Sequence, residues 1–255
     1  MRHIMTGLAI LVAVLAIGCG GPAKPLSPAY DVIERKITVD GDTEDWRGIE
    51  PILVQGEEQL WLGQGLSVDN WKGNADLSYS WRAAWRGDKL YFLFIVADDK
   101  MTQPGEPLAF LNDCAMLYID PLNEGGPRRI TIDGQEELRG FDLYVAASSP
   151  AAVFLGQSSD NPLHRYRLDK PQTQTFQTKW NGQVVVQKTP LGYVVEMGFS
   201  LPGGGLARGR MLGVENGVCD NDGAGRESLM TWSAARGDFW QDMSKWGQLR
   251  LVGWR

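Results

Sequence analysis

Lys89-Leu90-Tyr91-Phe92-Leu93-Phe94-Ile95-Val96-Ala97 is a nearly continuous run of apolar and aromatic residues. Gly87-Asp88 bounds it on one side and Asp98-Asp99 on the other. So short a run between turn-forming residues predicts a β-strand buried on both faces. Working outward, similar runs occur at Ala115–Ile119, Phe141–Val145 and Val184–Val186. Gly192–Phe199 alternates, with Tyr193, Val195, Met197 and Phe199 on one face, and Gln248–Val252 closes the chain. The 31 Gly and 13 Pro supply turns. No long segment has a helical period and no tandem repeat is present. Many short strands with turn signals predict an all-β fold: an antiparallel β-sandwich, jelly-roll or immunoglobulin-like, forming a single domain over residues 30–255. The polar stretch Gln157–Thr178 reads as a surface loop or as a flap over a site.

The 255 residues are 43% hydrophobic and 22% charged, which excludes a disordered chain and suffices for a full core. Ten Trp stand against two His. His3 falls in a segment expected to be removed, leaving His164. One histidine excludes a multi-histidine metal site, and a Ser-His-Asp triad would have to be built around it. His164, between Pro162 and Arg165, reads as an exposed side chain. Many flat rings with almost no neutral-pH proton shuttle favour binding over catalysis. A formal net charge of −6, with no basic cluster, argues against nucleic acid as a partner.

Arg2 and His3 precede an apolar run from Ile4 to Ile17, a pattern expected of a secretory signal peptide and too short for a transmembrane helix. Ala16-Ile17-Gly18-Cys19 resembles a bacterial lipobox, in which Cys19 is acylated after cleavage. Residues 1–18 would then be the signal peptide. Residues 19–29, with Gly20, Gly21, Pro22, Pro25 and Pro28, would be a lipidated extended tether holding a domain at the cell envelope. Gly20, rather than Asp, after the acylated Cys favours the outer membrane in a cell with two. Cys114 and Cys219 read as a disulfide or as two buried thiols.

Ile37-Thr38-Val39-Asp40-Gly41-Asp42-Thr43-Glu44-Asp45-Trp46 resembles the opening of a family 9 carbohydrate-binding module: a strand, an Asp-Gly turn, then an acidic residue before Trp. Trp85–Tyr91 ending in Asp98, Asn112–Pro121, Gly192–Glu196 and Trp240–Leu251 resemble the family's later segments in the same order. Together they cover about residues 32 to 252. The resemblance implies a β-sandwich that binds sugars without cleaving them, using two aromatic rings as a clamp and calcium ions to brace loops. The physical logic is independent of the family. A pyranose face lined with C–H groups buries apolar area on a flat ring, and its hydroxyl rim needs directional partners.

Carried over, the clamp falls on Trp240 and on Phe110, where the family typically has Trp. The neighbouring hydroxyl partners fall on Asp142 and Tyr144, where the family offers Arg and Asn. Met116 stands where the family often has Glu. These departures leave the sugar open, and glucose or cellobiose is not assured by the resemblance. Trp240 and Phe110 each read either as ligand platforms or as packing. Trp46, Trp81, Trp85 and Trp246 read as structural rings, while Trp61 and Trp71 would extend a binding face or cap the sandwich.

Asp220-Asn221-Asp222-Gly223 looks like a calcium-loop start, although the twelfth position, where an EF-hand needs Glu, is Thr231. Asp220 and Asp222 are the candidate calcium ligands, with a polar turn as the alternative. Asp40, Asp42 and Asp45 would brace the first turn or hold calcium, and Asp98-Asp99 reads as a strand end. No other cofactor is expected. The leading expectation is a non-catalytic carbohydrate-binding lipoprotein with a glycan ligand, working beside secreted glycan-degrading enzymes in polysaccharide catabolism. An accessory or catalytic part of a glycoside-hydrolase system is a second class. A haem-binding redox domain of a related sandwich is a third, with Met101 or Met116 available as an axial ligand.

Overall fold

A computed structural model describes residues 28–102, 105–156, 166–233 and 237–253. The predicted signal peptide, Cys19 and His164 lie outside the described residues. No helix among the described residues is long and apolar enough to cross a membrane.

The chain is mostly β. Its strands are β1 (Ala29–Glu34), β2 (Ile52–Val54), β3 (Leu77–Arg86), β4 (Lys89–Asp98), β5 (Cys114–Asp120), β6 (Arg129–Ile132) and β7 (Gln135–Leu138). Then follow β8 (Phe141–Ala146), β9 (Ala152–Gly156), one helix α1 (Thr173–Lys179), β10 (Gln183–Thr189), β11 (Gly192–Ser200), β12 (Met211–Asp220), β13 (Ser228–Thr231) and β14 (Gly247–Val252). The main sheet runs β10-β11-β4-β3-β1-β14-β12-β5-β8-β9, with β2 on β3 and β13 on β12.

The run that predicted a doubly buried strand is β4. Phe92 and Phe94 join the main core, while Tyr91 and Leu93 between them pack on the opposite face against Trp46 and Ile37. Successive side chains of a strand point to opposite faces, so an unbroken apolar run needs a partner on both. The sheet supplies the main core by curling on itself. Phe141 of β8 and Phe199 of β11 have ring centroids 6.5 Å apart although six strands separate them in the order. The result is a sandwich-like closure around one core.

Three expectations are corrected. First, the sheet is not wholly antiparallel: β1 pairs parallel with both β14 and β3. A chain-terminal strand is free of hairpin constraints and can fill a slot in either direction. It also begins at Ala29, the last residue of the predicted tether. Second, Ile37–Val39 is extended but belongs to no strand. Carboxylates take the donors a ladder would use: Asp45 accepts from Thr38 N at 2.8 Å, and Glu196 Oε2 from Asp40 N and Gly41 N at 3.0 and 2.7 Å. Glu196 Oε1 also accepts from Trp46 Nε1 at 2.8 Å. The first and fourth sequence segments are therefore tied together by one buried carboxylate. Gly41 holds a φ of +89° at this turn, which suits glycine.

Third, the stretch predicted as a loop to Thr178 contains the start of α1. Seven residues are too few for a helical period to show, and the helix is pinned by Phe176, which is fully buried. Trp61 is buried and Trp71 half-buried, both packed into the fold, in keeping with the alternative that they cap the sandwich. Trp46, Trp81, Trp85 and Trp246 are buried rings, in keeping with their structural reading. Cys114 and Cys219 stand opposite each other across β5 and β12, and both are free and buried.

Candidate binding cavity and acidic cluster

Strand alternation builds the site. On β5 and β8 the odd-numbered residues Ala115, Leu117, Ile119, Phe141, Leu143 and Val145 face the main core. The intervening Met116, Tyr118, Asp142 and Tyr144 line a cavity of about 370 Å³ on the other face. The register pairs Met116 with Tyr144 and Tyr118 with Asp142, so the four form one contiguous floor. Two 3-10 turns supply walls: Ala109–Leu111 carries Phe110 and Phe239–Gln241 carries Trp240. The structure thus gathers all four sequence-derived site residues, Trp240, Phe110, Asp142 and Tyr144, around one cavity.

Asp142 does not present a free carboxylate. Its Oδ1 accepts from Arg128 Nη2 at 2.7 Å and its Oδ2 from Tyr166 Oη at 2.6 Å. Arg128 Nη1 in turn donates to the Trp240 carbonyl at 3.2 Å, and its guanidinium lies 5.6 Å from the Tyr118 ring. Arg128 and Asp142 are 5% and 1% exposed, so each needs the other to remain charged there. The chain Tyr166–Asp142–Arg128 fixes the Trp240 backbone. Trp240 meets Trp61 edge-on with centroids 5.2 Å apart, and Trp61 is anchored by its Nε1 on the Gly237 carbonyl at 2.8 Å. Tyr118 and Tyr144 share a short hydroxyl hydrogen bond. Burial pushes the phenols of Tyr118, Tyr144 and Tyr166 upward, so they stay neutral and keep a proton to donate.

Tyr118, Arg128, Tyr166 and Arg226 were missed from the sequence. Tyr118 was legible, being two residues from Met116 on the same strand. Tyr166 sits in the stretch read as surface loop, and Arg128 and Arg226 reach the cavity from segments with no strand signal.

A cluster of carboxylates lies beside the cavity. Ligand oxygens of Asp98, Asp113 and Asp220 fall within 4.8 Å of one another, as do those of Asp76, Asp220 and Glu227, and those of Asp76, Asp99 and Asp222. The predicted pair is therefore present, but Asp220 and Asp222 fall in different triplets. Asp98, read as a strand end, is a member. Burial, reinforced by the neighbouring carboxylates, raises Asp98 to about 6, Asp113 to about 7 and Asp220 to about 9. Asp222 Oδ1 is buried with no hydrogen-bond partner. Hard oxygens at this spacing fit a cation that takes oxygen ligands at about 2.4 Å. Asp40, Asp42 and Asp45 instead accept backbone hydrogen bonds within their own turn region.

The cluster is coupled to the cavity wall. Asp113 Oδ1 accepts from Asn221 N at 2.8 Å, and Asn221 Nδ2 donates to the Leu111 carbonyl, next to Phe110, at 2.9 Å.

Comparison with solved structures decides the fold. A family 9 carbohydrate-binding module from Caldicellulosiruptor kristjanssonii in complex with cellotriose superposes with a TM-score of 0.62 at 16% identity, covering 89% of this chain and 95% of that one. The fold is that of a family 9 carbohydrate-binding module. The same bacterium's family 9 module in complex with glucose gives 0.61 at 16% identity, over 89% and 97% of the two chains. Residues 156–254 match the family model described as carbohydrate family 9 binding domain-like. The exoglucanase XynX of Acetivibrio thermocellus is 32% identical over 111 residues, 40% of this chain. The chain spans about a tenth of that curated relative's length. The family 9 match lies in the C-terminal part of the sequence and includes Tyr166, Arg226 and Trp240. Phe110 and the β5–β8 floor lie outside it.

Proposed function

We propose that this protein binds a carbohydrate without cleaving it, in the cavity between Phe110 and Trp240. The observation that carries the proposal is the cavity itself: aromatic walls from two turns over a floor of hydroxyl and charged groups, on a family 9 fold. Rings bury the C–H face of a sugar, and the tyrosine hydroxyls and arginines satisfy its rim. Structures of family 9 modules in complex with cellotriose and glucose support this reading.

The acidic cluster holds calcium in this proposal. Asp76, Asp98, Asp113, Asp220, Asp222 and Glu227 would supply the ligands, and the ion would neutralise carboxylates that otherwise resist ionising together. Through Asn221 and Leu111 it would stiffen the turn that carries Phe110. The N-terminal segment completes the reading: Cys19 is acylated and residues 20–28 tether the domain to the outer membrane of an exporting bacterium, beside separate glycan-degrading enzymes. Incorporation of a palmitate analogue, abolished by Cys19→Ser, tests the anchor.

The central test is titration of the full chain with cellotriose, glucose and a panel of other glycans, with calcium and with chelator. Saturable binding without release of reducing sugar is expected, together with a higher melting temperature and tighter binding when calcium is present. Absence of binding to any glycan would overturn the proposal.

A further inference from the structure

The cavity carries a charge opposite to that of the whole chain. Among the described residues Arg128, Arg129 and Arg226 line it against one carboxylate, Asp142, in a chain whose formal net charge is −6. Arg128 is neutralised by Asp142, and Arg129 reaches outward to Glu136 at 3.0 Å. Arg226 is different: among the described residues it makes no ion pair.

Its surroundings hold it in place without compensating its charge. The guanidinium lies between two rings, 5.5 Å from the centroid of Trp61 and 5.9 Å from that of Phe110. Nη2 donates to the side-chain oxygen of Gln64 at 3.0 Å, and Nη1 makes a long contact of 3.4 Å to the Phe110 carbonyl. Nε is buried with no partner. Among the described residues its hydrogen-bond acceptors are the neutral oxygens of Gln64 and Phe110, and its other polar neighbour is the buried Cys219 thiol. A guanidinium prefers a planar anion that takes two hydrogen bonds side by side, and such bonds are roughly twice as strong as neutral ones. Stacking on rings removes the freedom a surface arginine would lose on binding.

A neutral sugar takes hydrogen bonds from a guanidinium but leaves its charge uncompensated, whereas an anion satisfies both. The Tyr118 and Tyr144 hydroxyls bond each other and Tyr166 bonds Asp142, so among the described residues the half-buried Arg226 is the cavity's charged donor not already paired with an acid. We propose that the cavity selects an anionic sugar, one bearing a carboxylate or sulfate group, with Arg226 as the residue that binds the anion after its Gln64 contact is displaced. The inference rests on the glycan-binding reading above and adds the class of ligand.

The test uses the full chain and four probes: glucose, glucuronate, glucose 6-sulfate and trigalacturonate, titrated calorimetrically at low and moderate salt. Glucuronate or glucose 6-sulfate is expected to bind at least tenfold more tightly than glucose, with the better of the two identifying the anion. The preference should shrink as sodium chloride rises, because exposed charge interactions are screened. In Arg226→Gln the anion-to-glucose affinity ratio should collapse towards one, and Arg226→Lys should retain part of it. Thermal melts establish that each variant is folded, and the salt titration of the unaltered chain stands if one is not. Glucose binding as tightly as every anionic probe, or an unchanged ratio in a folded Arg226→Gln, would overturn the inference while leaving glycan binding intact. If no probe and no neutral glycan binds, the underlying reading fails as well.

Discussion

Trp240→Ala is the sharpest test of the cavity. The indole is half-buried, and it touches the rest of the protein through edge contacts with Trp61 and Phe239, whose centroids lie 5.2 and 5.4 Å away. The backbone does the structural work: the Trp240 carbonyl accepts from Arg128 Nη1, and the Gln241 carbonyl accepts from Arg128 N at 2.8 Å. Truncation leaves both backbone bonds in place. Two lost aromatic contacts, at about 0.5–1.5 kcal/mol each, predict a modest loss of stability. Loss of a stacking platform for a sugar, taken by analogy with base stacking, costs about 1–3 kcal/mol. That is roughly a five- to 150-fold weakening of affinity. The assay is calorimetric titration of the glycan that binds best, with circular dichroism and a melt on the same samples. Trp240→Phe should fall between the two, since it keeps a smaller ring. An affinity within twofold of the parent in a folded Trp240→Ala would refute the role given to this ring.

The remaining predictions concern the scaffold. Gly156 faces the Tyr166–Asp142 pair so closely that a Cβ there would lie 2.3 Å from Tyr166 Oη and 2.4 Å from Asp142 Oδ2. Gly156→Ala should therefore prise this hydrogen bond open, weakening glycan binding at least fivefold and lowering the melting temperature, and unaltered binding would refute the positioning role given to Asp142. Glu215 is fully buried, accepts from Asn216 N at 2.9 Å and Ser233 N at 3.2 Å, and is raised by burial from 4.5 to about 7. A carboxyl that stays protonated in the fold stabilises below its unfolded value and loses that contribution as pH rises through about 7, an effect of about 3 kcal/mol at most. Urea unfolding from pH 5 to 8 should show this decline added to that of Asp98, Asp113 and Asp220, whose carboxyls are also raised, and Glu215→Gln should make it shallower; an identical pH slope in the variant would count against the assignment.

Much of the architecture is legible in the residues. The runs at β4, β5, β8 and β11 are apolar because both their faces are covered, so burial leaves its mark directly on composition. The ring pair Phe110 and Trp240 was reached through a resemblance, since nothing local separates a ligand platform from a packed ring. Strand alternation would have added Tyr118 to the site, as it shares a face with Met116. Arg128, Tyr166 and Arg226 carry no such mark. They come from irregular segments that meet only when the sheet has curled and its two ends have been brought together.

Local chemistry therefore determines which segments are strands, where the turns fall and which rings are buried, because these depend on neighbours one or two residues away. The parallel seat of β1, the clasp of Glu196 on the Asp40-Gly41 turn and the pooling of carboxylates from β4, β12 and the residue before β5 depend on long-range register. So does the cavity's charge. A sequence with an excess of acids gives no hint of a basic pocket, because the sign of a site is set by which side chains converge on it, and only the closed fold brings Arg226 between Trp61 and Phe110.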